Sequence, residues 1–139
     1  MAESATHMTY VRKIVDYITQ TDERITSGLV ETDLPEYQFR PSRVVDGYIP
    51  DVYARTQHAV YLGEAKTMGD VDNRHTRDQI MAYLKELRLY EGDVEPHLVL
   101  CTSLLSFVTL KNIAKQAKLS LSSDCMIHVL NDCGREDII

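Results

Sequence analysis

Residues 97–103 hold a continuous apolar run, Leu98-Val99-Leu100-Cys101, of strand length and without polar alternation. A strand with no polar face needs cover on both sides, so the sheet containing it must carry helices on both faces. The chain supplies them. Residues 9–20 place Val11, Ile14, Val15 and Ile18 at i, i+3, i+4 and i+7, the stripe of an amphipathic helix. Residues 106–118 do the same with Phe107, Leu110, Ile113, Ala114 and Ala117. A third helix is expected from about 73 to 90, with Ile80, Tyr83, Leu84, Leu87 and Tyr90 inward and Gly92 as its stop. Strands are expected at about 51–56, 59–66 and 126–130, with a short one inside 37–45 weakened by Pro41. Residues 21–36 read as irregular. The order helix, strand, strand, strand, helix, strand, helix, strand predicts an α/β fold with a mixed sheet flanked by helices.

The 139 residues suit one domain, assigned to 9–139. Residues 1–8 are polar, lack a secretory apolar stretch and are read as a flexible N-terminus or a cloning scar. No apolar run approaches membrane-spanning length, so no membrane partner is expected. Cys101, Cys125 and Cys133 have no paired metal spacing, which points to a reducing, cytoplasmic setting. The net charge of −6 argues against coating nucleic acid by charge alone. It leaves room for an enzyme that meets a phosphate backbone in one local groove, with a bound cation offsetting some carboxylates.

The acidic residues that matter bracket a hairpin. If Gln57-His58 is its two-residue turn, Thr56 faces Ala59, and opposed positions sum to a constant that sets Asp51 against Glu64. A four-residue loop gives the same register, and a three-residue loop breaks it. Glu64 and Lys66 then share a face. Two like charges directly opposed in a sheet are destabilising, so one takes a proton or a cation sits between them. Carboxylates, the Ala65 backbone carbonyl and water suit Mg²⁺ or Mn²⁺. Such a cation polarises a phosphoryl oxygen and acidifies a bound water, while Lys66 orients that water and stabilises charge on the phosphate. The alternative is that Asp51, Glu64 and Lys66 are ordinary surface residues.

Pro50-Asp51 followed by Glu64-Ala65-Lys66 resembles the signature of the PD-(D/E)XK nuclease superfamily. The element order around it and Gly47 ahead of the Pro-Asp are similar to that superfamily's core. Gln79-Ile80-Met81-Ala82-Tyr83 is similar to the Q-x-x-x-Y motif of its RecB-like branch. The resemblance covers roughly residues 9–103. It implies a restriction-endonuclease-like core and a Mg²⁺- or Mn²⁺-dependent deoxyribonuclease. Asp51, Glu64, Lys66 and Gln79 are its catalytic set. Asp51, Glu64 and the Ala65 carbonyl are its metal ligands, and Tyr83 is a support. These nucleases often carry a further carboxylate in the first helix, for which Asp16 and Glu23 are both candidates. Arg74, His75 and Arg77, near the start of the Gln79 helix, are candidate phosphate contacts or a solvated helix start. The partners implied are DNA, a protein that supplies targeting, and a second copy of the chain for double-strand cutting. The competing function is a non-catalytic binding or assembly subunit that keeps the fold.

Overall fold

The apolar run around Val99 becomes an inner strand of a six-stranded sheet. A computed structural model describes residues 4–90, 92 and 94–139. The helices are α1 (Ala5–Thr21), α2 (Arg74–Arg88) and α3 (Phe107–Leu121). The strands are β1 (Val30–Thr32), β2 (Val52–Arg55), β3 (Ala59–Ala65), β4 (Glu95–Thr102), β5 (Met126–Asn131) and β6 (Glu136–Ile138), and they lie side by side in chain order. β1, β2 and β3 are antiparallel, β3, β4 and β5 are parallel, and β6 returns antiparallel to β5. The α/β class with a mixed sheet flanked by helices is what the periodicities predict. Among the described residues no helix is long and apolar enough to cross a membrane.

Side-chain alternation divides the core between the two faces. Ile14, Val15 and Ile18 of α1 pack on Val52, Ala54, Tyr61, Val99, Cys101 and Leu130. Tyr83, Leu84 and Leu87 of α2 and Phe107, Leu110 and Ala114 of α3 cover Val60, Leu62, Leu98, Leu100, Ile127 and Val129. α1 seats closely because Gly63 has no side chain. A Cβ there would lie 2.7 Å from Ile14 Cγ2 and 2.9 Å from Val52 Cβ. Gly63→Ala is therefore expected to lower unfolding stability by about 1–3 kcal/mol. Urea titration checks this, and an unchanged midpoint would show that α1 is seated loosely.

Three expectations need correction. The first strand lies at Val30–Thr32, not within 37–45. That later segment makes only the isolated bridges Glu31 to Phe39 and Val45 to Tyr48, and Arg40 Nη1 ties it down by donating to the Thr32 and Leu34 carbonyls. β6 has no counterpart among the predicted strands. The first helix starts at Ala5, where Ser4 caps it by accepting from the His7 N–H at 3.0 Å. Residues 5–8 are thus part of the helix rather than a flexible end, and 1–3 lie outside the described residues. Asn73 caps α2 through the Thr76 N–H at 2.8 Å.

Candidate metal centre

The hairpin register brings the two carboxylates together. Val52 pairs with Gly63 and Arg55 with Val60, so Asp51, one residue before β2, stands against Glu64 near the end of β3. The connection is two residues long, although Gln-His is a poor tight-turn pair. Thr56 supplies what the turn lacks: its Oγ1 accepts from the His58 and Ala59 N–H groups, each at 3.1 Å. Neither Gln57 nor His58 adopts a positive φ. Just upstream, Asp46 and Gly47 both have positive φ, and Val45 and Tyr48 exchange two backbone hydrogen bonds of 2.7 and 2.9 Å. That tight turn aims the chain into Pro50-Asp51.

Asp51 Oδ2 accepts from the Ala65 N–H at 2.9 Å and lies 3.1 Å from His7 Nε2. One ligand atom each from His7, Asp51 and Glu64 lies within 4.8 Å of the others. Glu64 is only 6% exposed, and its Oε1 accepts from the Tyr83 hydroxyl at 2.7 Å. Gln79 Nε2 in turn donates to Tyr83 Oη at 3.1 Å. Gln79 thus acts on Glu64 through Tyr83, and its buried Oε1 has no hydrogen-bond partner among the described residues.

Two ionised carboxylates within 4.8 Å of each other would repel by roughly 3.5 kcal/mol or more at an effective dielectric near 20, and neither is well solvated. Burial, followed by the Asp51 charge, pushes Glu64 well above the ordinary carboxylate range, although Lys66 and the Tyr83 hydroxyl oppose the rise. Burial also acts to raise Asp51. Hydrogen bonds from His7, Glu64 and the Ala65 N–H outweigh it, so Asp51 ends below its usual value. The pair is thus pushed apart, Glu64 upward and Asp51 downward, an imbalance that a cation between them would relieve.

Lys66 is 7% exposed, and among the described residues its ammonium has no ion-pair partner. Ala65 pairs with Cys101, which places Lys66 beside Thr102, and Thr102 pairs with Asn131. A row of buried polar side chains thus crosses the C-terminal ends of three parallel strands. Thr102 Oγ1 and Asn131 Nδ2 have no hydrogen-bond partner among the described residues.

Asp51, Glu64, Lys66, Gln79 and Tyr83 are therefore gathered in one place. The proposed first-helix carboxylates are not. Asp16 is exposed in a groove beside Arg135 and Glu136, and Glu23 is exposed beyond the end of α1. The first helix contributes His7 instead. It lies four residues before Val11 and seven before Ile14, on the inward stripe, so continuing the period toward Ser4 would have found it. Arg74 is 94% exposed, with its Nε 3.6 Å from Asp78 Oδ2. Arg77 pairs with Asp72 and lines a groove between α2 and α3 with Met81 and Gln116. No family model, curated protein or solved structure matches the chain.

Proposed function

We propose that the protein is a divalent-cation-dependent nuclease that hydrolyses phosphodiester bonds of DNA, built on a restriction-endonuclease-like core. The observation that carries this reading is the convergence of His7, Asp51 and Glu64 within 4.8 Å, next to a buried lysine with no ion-pair partner among the described residues. The donor set fits a cation. Two carboxylates that repel each other and one imidazole nitrogen match Mn²⁺ at least as well as Mg²⁺, because nitrogen ligands favour the later divalent ions. The Ala65 carbonyl is the further candidate ligand.

A cation held there supplies Lewis acidity toward a phosphoryl oxygen and acidifies a coordinated water. The chain's own groups do the rest. Asp51 is oriented by the Ala65 N–H, and Glu64 by Tyr83, itself braced by Gln79. Lys66 offers an ammonium for the charge that develops on the phosphate. Orienting bonds of this kind keep ligands in the geometry a cation needs.

The test is cleavage of labelled single-stranded, duplex and branched DNA and of RNA with Mn²⁺ or Mg²⁺, with Asp51→Ala alongside, together with calorimetric Mn²⁺ titration. Metal-dependent cleavage that Asp51→Ala abolishes supports the reading. No Mn²⁺ binding and no cleavage of any substrate would replace it with a non-catalytic binding or assembly subunit, a role the net charge of −6 also accommodates.

A further inference from the structure

An aromatic path runs from the metal centre to solvent. Tyr83, which holds Glu64, packs edge-to-face with Tyr48, ring centroids 6.3 Å apart and planes at 77°. Tyr48 meets His75 in the same manner at 5.4 Å and 70°. His75 is exposed in the first turn of α2, Tyr48 is half-buried, and Ile49 next to it is 55% exposed. The Asp46-Gly47 turn fixes this segment directly ahead of Asp51. The rim of the centre on this side is thus aromatic and apolar, with the exposed Arg74 guanidinium one residue from His75.

Bracing Tyr83 explains Tyr48. It does not explain why the path continues to an exposed ring and an exposed isoleucine. A chain with a net charge of −6 gains little from non-specific attraction to a phosphate backbone. Aromatic and apolar side chains recognise the flat face of a nucleobase, and that face is accessible only where the base is unpaired.

We propose that Tyr48, Ile49 and His75 form a stacking rim that takes an unpaired nucleobase beside the metal centre and makes the protein selective for single-stranded or frayed DNA. This rests on the nuclease reading, and two separate measurements keep the fates of the two ideas apart. The first is the affinity for a short fluorescent single strand and for a blunt duplex of the same sequence, read by anisotropy for the wild type, Tyr48→Ala, Tyr48→Phe and His75→Ala. The second is Mn²⁺-dependent cleavage of the same DNAs. Tyr48→Ala and His75→Ala are each expected to weaken single-strand binding about tenfold and duplex binding much less, while Tyr48→Phe stays near wild type. Because His75 is exposed, its variant guards against a Tyr48→Ala that misfolds. Equal loss for both DNA forms in His75→Ala, or a wild type that binds duplex as tightly as single strand, overturns the rim. Selective single-strand binding without cleavage leaves the rim standing and counts against the nuclease.

Discussion

Under the proposed nuclease reading, Lys66→Met is expected to leave Mn²⁺ binding and the fold in place while lowering DNA hydrolysis by about 100- to 1,000-fold, the usual cost of removing one preorganised charge stabiliser. Methionine keeps the unbranched apolar stem that fills this buried position and deletes only the ammonium. The effect on metal affinity is small because two contributions oppose each other. Losing the Lys66 charge lets Glu64 hold its proton more tightly, and it also removes a cation that repels the metal. His7→Ala is expected to give the opposite profile: weaker Mn²⁺ binding by calorimetry, with hydrolysis recovering as Mn²⁺ is raised. Single-turnover rates at saturating Mn²⁺ separate the two. Full activity in Lys66→Met would remove the lysine from the chemistry. Equal loss of metal binding in both variants would make Lys66 a structural support of the site rather than a participant.

The parts of this site that were legible in the sequence are those fixed by local geometry. Asp51 and Glu64 follow from counting across a short hairpin, and the observed pairing of Val52 with Gly63 agrees with that count. Gln79 and Tyr83 follow from helical spacing, since four residues place them on one face. What the spacing does not reveal is the direction of the chain of contacts. Tyr83 touches Glu64, and Gln79 reaches it only through the tyrosine. His7 is missed because residues 1–8 are set aside, although its place on the α1 stripe is visible. The row formed by Lys66, Thr102 and Asn131 depends on register between parallel strands joined by long crossovers, for which no local pattern exists. β1 and β6 are three residues each, too short for any period to emerge.

Acidification is expected to cost the fold about 3 kcal/mol between about pH 6.5 and about pH 4 through a buried histidine pair away from Asp51 and Glu64. Tyr17 Oη lies 2.7 Å from His128 Nδ1, His128 Nε2 lies 2.9 Å from His97 Nδ1, and His97 Nε2 lies 3.4 Å from Glu95 Oε1. Three links need three protons, and the Tyr17 hydroxyl plus two neutral imidazoles supply them. One added proton buries a charge. A second would set N–H against N–H across the 2.9 Å link. Burial, then the neighbouring His97, pushes His128 down to about 4, and burial also lowers His97 despite Glu95 and Asp22. A group whose folded pKa is depressed takes up protons on unfolding. Its contribution is therefore complete above the unfolded value and fades as pH falls toward the folded one. Around the pair stand Tyr61, stacked on His97 at 4.4 Å, Glu95 and Asp22, both held by Arg24, and Glu136 near Tyr17. Asp22 is lowered by its hydrogen bond with Arg24, so its contribution is lost only at still lower pH. Glu64 acts with the opposite sign, because a raised carboxylate stabilises the fold as pH falls. Urea unfolding at stepped pH for wild type and His128→Gln isolates the histidine: the variant should lose much of the slope between pH 6.5 and 4. Parallel slopes would assign the acid sensitivity to the carboxylates instead.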